Sequence, residues 1–175
     1  MGKIAVLGTG PSIGSYYPED FPNAIGVNDI WLFHKTAGIV VLNPRKDFTS
    51  ERLRVIDESK PKFFYSQIAN WDFRPDFFQI AITTGYPDKI CNISLPQFQK
   101  SYCSPFVACQ IAYRYWGATE IHLFGVDLIN HPHLNKFKED MKRHFKNLAL
   151  ALQEKGCELI VHGDGILKDL LLLKL

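Results

Sequence analysis

Little in this chain points to a membrane, a nucleic acid or an oxidising compartment. No apolar stretch approaches the roughly 20 residues of a membrane span, and Met1-Gly2-Lys3 runs straight into an apolar strand pattern without a signal-peptide core or cleavage site. The four cysteines, Cys91, Cys103, Cys109 and Cys157, form no CxxC pair, and no run of His and Cys has zinc-finger spacing. They read as free thiols of a cytoplasmic protein, for which the sequon Asn92-Ile93-Ser94 carries no glycan. Charge of one sign is also missing: 20 Lys and Arg against 18 Asp and Glu leave a net charge of +2. The pI of 8.3 falls short of the value above about 9 expected of a nucleic-acid binder. No internal repeat, low-complexity tract or linker divides the chain.

What remains is the composition of one folded unit. The 175 residues are 46% apolar and 22% charged, near the globular average, which excludes long disorder and a fibrous fold. A chain of this length buries roughly 70% of its unfolded surface without disulfides or a structural metal. Short apolar runs without alternation recur at Ile4–Leu7, Ala24–Val27, Ile39–Leu42, Ile80–Ile82, Ile121–Phe124 and Leu159–Val161. Such runs suit parallel strands buried on both faces. Ala108, Cys109, Ala112 and Trp116 fall on one face of a helix from Ser104 to before Gly117. Phe137, Met141, Phe145, Leu148 and Leu152 mark a longer helix that stops before Gly156. A weaker helix follows Thr49 or Ser50 as cap, and the tail Ile166–Leu175 also reads as helix. The aromatic segment Lys60–Gln99 lacks clear periodicity and is assigned strands around Phe63–Tyr65 and Phe78–Thr83. Alternation of strands and helices predicts a single α/β domain spanning residues 1–175, Rossmann-like, three-layered, with a mostly parallel sheet. Ligands of such sheets bind at the carboxyl ends of the strands.

Three groups of residues are placed there. Gly8-Thr9-Gly10-Pro11-Ser12-Ile13-Gly14 directly follows the first strand. Glycines let a backbone approach a phosphate, and Pro11 suits the first turn of a helix whose N–H groups face an anion. The Gly-Lys-Ser/Thr of a Walker loop is missing. A dinucleotide fingerprint wants glycine where Ile13 stands, and Asp29, 21 residues after Gly8, lies near the offset of its ribose-binding acid. A tight turn without ligand is the alternative. Asn28 and Asn43 end the second and third strands, where an amide can bond a base, ribose or phosphate or simply form a turn. Ser104 is placed to cap its helix and aim its hydroxyl into the same crevice. Asp127 follows a later strand, and His131 and His133 flank Pro132 before the long helix. A loop histidine beside a phosphate crevice suits a general base, and with Asp127 it suits a metal; two surface histidines without a role are the alternative. His34, His122, His144 and His162 read as structural or solvent-facing, as does Cys103 as a thiol. The basic residues Lys136, Lys138, Lys142, Arg143 and Lys146 read as a solvated helix face.

Taken in order, GTGPSIG, IGVNDIW, VVLNPRKDF, CSPFVACQIAYRYWG, ATEIHLFGVDL and a His before a helix resemble the bacterial lipooligosaccharide sialyltransferases of glycosyltransferase family 42, and the related MptE-like proteins. The resemblance covers most of the chain. It implies that Gly8, Thr9, Gly10 and Ser12 hold the cytidine monophosphate of the donor, with Asn28, Asn43 and Ser104 beside it. It likewise implies that His133 or His131 is the general base, with Asp127 in the catalytic group. Thr9 stands where the family has Asn, and Pro105 where it has Gly. Only three residues separate Asp127 from His131, so this is a short form without the family's lid segment.

The resemblance implies inverting transfer from a CMP-sugar to a glycan acceptor, with no cofactor required. Its MptE-like branch implies pyrophosphate transfer from ATP to a pterin alcohol, with Mg²⁺ held by Asp127 or Asp29. A non-catalytic nucleotide-binding domain is a third reading, and an oxidoreductase using Asp29 a fourth. The expected partners are a nucleotide or nucleotide-sugar and a glycan, not nucleic acid. Membrane contact is at most peripheral, and the leucine-rich tail is expected to pack on the sheet or on a second subunit of a homo-oligomer.

Overall fold

The computed structural model describes residues 2–67, 69–129 and 134–172. Seven short strands form one sheet: β1 (Lys3–Leu7), β2 (Ala24–Val27), β3 (Gly38–Val40), β4 (Phe63–Ser66), β5 (Phe77–Gln79), β6 (Glu120–Phe124) and β7 (Glu158–Val161). Their order is β5-β4-β3-β2-β1-β6-β7, and every pairing is parallel. Ala5 sits opposite Ala24 on one side and His122 on the other. The central strands carry apolar residues on both faces because both are covered, as the unbroken runs Ile-Ala-Val-Leu and Ala-Ile-Gly-Val require.

The helices are α1 (Ser50–Glu58), α2 (Ser104–Arg114) and α3 (Lys138–Glu154). Thr49 caps α1 by accepting the Arg52 N–H at 3.4 Å. In α2 every residue from Ser104 to Ala112 is buried, because the helix lies over the middle of the sheet with α3 beside it. Met141, Phe145, Leu148 and Leu152 form the stripe by which α3 joins that layer. Its end is set by Gly156, whose φ of 74° is the left-handed turn that lets Cys157 N bond back to Leu152 O at 2.9 Å. The opposite face is covered more thinly, by α1 and by short 3₁₀ turns at Pro11–Ser15, Pro18–Asp20 and Ile30–Leu32. The fold is thus the expected three-layer Rossmann-like α/β arrangement. Among the described residues no helix is long and apolar enough to cross a membrane.

Several elements differ from expectation. The strand assigned to Ile80–Ile82 lies earlier, at Phe77–Gln79, and ends because its partner β4 ends at Ser66. Ile82 makes only an isolated bridge to Phe98. No helix follows the Gly8 turn; five residues of 3₁₀ do. The tail forms a 3₁₀ turn at Lys168–Leu172, with Leu167 buried and residues 173–175 outside those described. Ser104 is the first residue of α2 rather than its cap; Cys103 occupies the cap position and makes no capping side-chain hydrogen bond.

The irregular aromatic segment is tied down by polar side chains inside the protein. Arg74 donates to Ile56 O and Ser59 O, each at 2.8 Å, and pairs with Asp76 at 2.8 Å. Gln110 of α2 accepts from Gln99 N at 2.9 Å and donates to Gln99 O at 2.7 Å, standing in for a strand neighbour. The thiols are sequestered by the same packing. Burial pushes Cys91 and Cys103 up to about 12, Cys157 to about 11, and Cys109 well above the ordinary value.

On the thinly covered face, His122 Nδ1 and His162 Nε2 lie 3.0 Å apart. Glu120 is 3.2 Å from the other His122 nitrogen and 3.7 Å from Lys3 Nζ. Desolvation, then the neighbouring His122, hold His162 below its ordinary 6.5.

Two outcomes follow. Arg74→Met leaves two buried carbonyls and Asp76 without their donor, so the urea midpoint should fall by the equivalent of about 3 kcal/mol. For His162, the unfolded chain takes up the proton first as pH falls below 6.5, so the group's contribution to stability is intact above that value and declines below it until the folded imidazole itself titrates. Denaturation midpoints measured from about pH 8 to about pH 5 should show a smaller decline in His162→Gln than in the parent chain.

Candidate functional site

The strand order reverses between β1 and β6, so the loops leaving these two strands border a crevice at the carboxyl edge of the sheet. The two loops are clasped together. Gly8 N donates to Phe124 O and Gly10 N to Gly125 O, both at 2.8 Å. The Ser12 hydroxyl accepts from Gly125 N at 2.8 Å and donates to Asp127 Oδ2 at 2.9 Å, and the same carboxylate oxygen accepts the Ser12 N–H at 2.8 Å. A Cβ on Gly8 would lie 2.3 Å from Gly125 O, and one on Gly10 2.5 Å from Asp127 Oδ2. The space opened by these glycines is therefore filled by the β6 loop.

Asp127 is buried and has a third neighbour. The loop after β7 donates Ile166 N to its carbonyl at 3.0 Å, and a Cβ on Gly165 would fall 2.4 Å from Asp127 Cα. Asp127 thus gathers three loops, the Ser12 loop through its carboxylate and the loop after β7 through its main chain. Leu128, which follows, has φ of 54°, a left-handed conformation that a branched side chain adopts only when its surroundings impose it.

Against this clasp stand groups whose hydrogen-bonding capacity is unspent among the described residues. Asn28 follows β2 in the left-handed conformation, with φ of 52°, and donates its N–H to Val40 O at 3.1 Å. Its side-chain Oδ1 is buried and has no partner. Asparagine tolerates this backbone better than other residues with a side chain, so residue type and geometry agree. Ser104, buried in the first turn of α2, has no partner for its hydroxyl, and no side chain caps the N–H groups of that turn. Thr9 is exposed, and so is Asn43, whose carbonyl accepts from Trp71 Nε1 at 3.3 Å. All four lie at the carboxyl edge, after β1, β2 and β3 and before α2.

Other candidates are placed differently. Asp29 is buried and ion-paired to Arg52 of α1 at 2.6 Å, so the carboxylate expected to bind a ribose or Mg²⁺ is a structural partner of that helix. Among the described residues no three His, Cys, Asp or Glu side chains gather as a metal site. His131 and His133 lie outside the described residues. His144 is fully buried between Ser101 Oγ at 2.9 Å and Asp88 Oδ1 at 3.1 Å, and its ring is stacked with Tyr86 and Tyr102. Tyr102 in turn stacks on Phe137 at 3.9 Å. This aromatic stack beside the start of α2 went unseen in the sequence, where its members are separated by up to 58 residues (Tyr86 to His144).

No family model matches the chain, and no curated protein matches it by sequence. Solved structures do match in shape, among them those of sialyltransferases. They are structures of CstII. The Campylobacter jejuni enzyme in complex with the substrate analogue CMP-3FNeuAc aligns with a TM-score of 0.54 and 16% identity, over 93% of this chain and 80% of that one. The same enzyme with cytidine-5′-monophosphate gives 0.55 and 18%, over 93% and 80%. A complex with a trisaccharide acceptor and CMP gives 0.54 and 18%, over 91% and 80%. What this likeness shows is the shared fold.

Ser12→Ala removes one acceptor and one donor from the clasp and leaves Gly125 N and Asp127 short of partners. It should lower stability by about 1–3 kcal/mol in chemical denaturation, whereas Thr9→Ala, at an exposed position, should stay within about 0.5 kcal/mol of the parent.

Proposed function

We propose that the protein is a nucleotide-sugar-dependent glycosyltransferase that holds the CMP part of its donor in the carboxyl-edge crevice. The observation that carries this reading is Asn28, a strand-end amide with a buried acceptor oxygen that lacks a donor. A buried unmet acceptor costs about 1–3 kcal/mol, and a nucleoside supplies the missing donor as a ribose hydroxyl or a cytosine amino group. The uncapped first turn of α2 and the Ser104 hydroxyl suit the phosphate, since N–H groups at a helix start favour an anion. The five-residue 3₁₀ turn after Gly10 is too short for that task. The fold shared with CstII, which has been solved with CMP, supports the same placement.

In this reading the donor sugar reacts by direct displacement. The acceptor hydroxyl oxygen bonds to the anomeric carbon, the bond from that carbon to the CMP phosphate oxygen breaks, and the hydroxyl proton passes to His133 or His131. The configuration inverts, and CMP leaves as its dianion. Asp127 acts through structure: it fixes the Ser12 loop and so the wall of the crevice. Asn43 and Thr9 reach the donor from the adjoining strand ends.

Calorimetric titration with CMP, CDP, UDP, NADH and ATP with Mg²⁺ tests the proposal. CMP should bind best and without metal, Asn28→Ala should weaken it about tenfold or more, and His133→Ala should leave binding intact while slowing release of CMP from a CMP-sugar. Preference for ATP with Mg²⁺ or for NADH, or no nucleotide binding, would overturn it.

A further inference from the structure

At the opposite, amino-terminal edge of the sheet, beneath the end of α2, lies a cleft of about 570 Å³. This volume is in the range of small-molecule sites. Its walls are aromatic: Phe63 and Tyr65 of β4, Phe78 of β5, and Tyr115 and Trp116 just after α2. Trp116 Nε1 donates to the Tyr65 hydroxyl at 2.8 Å, which fixes the two largest rings relative to each other. Phe78 and Tyr115 are exposed at the mouth, 5.6 Å apart between ring centres.

Two cations line this cleft, Lys62 and Arg114, and no Asp or Glu does. Neither cation has a carboxylate partner among the described residues. Among the described arginines, Arg45, Arg52, Arg74 and Arg143 each pair with an aspartate, whereas Arg54 and Arg114 do not. Arg114 instead donates Nη2 to Pro96 O at 3.1 Å and lays its guanidinium on the Phe98 ring at 4.4 Å. Its Nη1 is buried with no hydrogen-bond partner at all. A buried guanidinium nitrogen without an acceptor is costly, and an anion supplied from the adjoining cleft would satisfy it.

We infer that this cleft is a second binding site, for a small aromatic carboxylate whose ring lies between the aromatic walls and whose anion meets Arg114 and Lys62. A flat ring exploits offset and edge-on contacts with Tyr65, Phe78 and Trp116. The carboxylate matches the planar fork of Arg114. The site is independent of the carboxyl-edge crevice, from which the length of α2 separates it.

Calorimetry with 2-naphthoate and its uncharged counterpart 2-naphthylmethanol, each with and without saturating CMP, tests this. Naphthoate should bind one per chain, at least about tenfold more tightly than the alcohol, because only it meets the cations. Arg114→Met and Lys62→Met should each reduce that preference, and CMP should leave it unchanged. Arg114 also lines a neighbouring cavity that contains Lys155, so Lys155→Ala serves as control and should bind naphthoate like the parent. Equal affinity for acid and alcohol, loss in Lys155→Ala but not in Lys62→Met, or displacement by CMP would each overturn the inference. Lys62 is exposed, so its variant remains decisive even where Arg114→Met unfolds.

Discussion

The clasp between Ser12 and Asp127 governs the rest of the molecule. One hydroxyl accepts from one loop and donates to the carboxylate of the other, and the backbone beside it closes to distances that only glycine permits at positions 8, 10 and 125. Parallel strands need not splay at a reversal in strand order, but their loops must part, and whatever holds them fixes the width of the gap. Here a buried carboxylate serves that purpose. The main chain of the same residue anchors the loop after β7, so the ends of three strands meet at Asp127.

The second organising element is α2. Because it is buried along nearly its whole length, it can present its start to one edge of the sheet and its end to the other without exposing apolar surface. The open start offers N–H groups and Ser104; the end offers Arg114 and leads into Trp116. The long irregular stretch between β5 and α2 is held to this spine by Gln110, and the stretch before β5 by Arg74. Such internal polar anchors replace the ladder bonds that regular structure would have given.

This division explains what could be read from the sequence. β1, β2, β6 and β7 show as unbroken apolar runs because both of their faces are covered, and α2 and α3 show as helical stripes ending at glycine. β5 and the 3₁₀ turns have no such signature. Phe77-Phe78 is aromatic at an edge, and its place depends on Arg74 reaching carbonyls of α1. At the crevice, Asn28, Asn43 and Ser104 were legible as residues at strand ends or a helix start. The role of Ser12 was not, because its partner Asp127 lies 115 residues away. Asp29 misled for the same reason: its spacing from Gly8 suggests a ribose ligand, while Arg52, invisible as a partner in the sequence, claims the carboxylate. Arg114 carries no signal in the sequence; its buried Nη1 without a partner is seen only in the structure.

Packing the cysteines into the core has a chemical corollary. Burial pushes these thiols up, Cys91 and Cys103 to about 12, so they are scarcely ionised at neutral pH, and the thiolate is the species that reacts with oxidants and alkylating agents. The native side chains are therefore spectators to maleimide chemistry while the fold is intact. A cysteine introduced at an exposed position would be the dominant reactive thiol. The protein can thus carry a site-specific fluorophore or spin label with its own cysteines left in place, and uptake of label by the buried Cys91, Cys109 and Cys157 becomes a clock for local opening of the core.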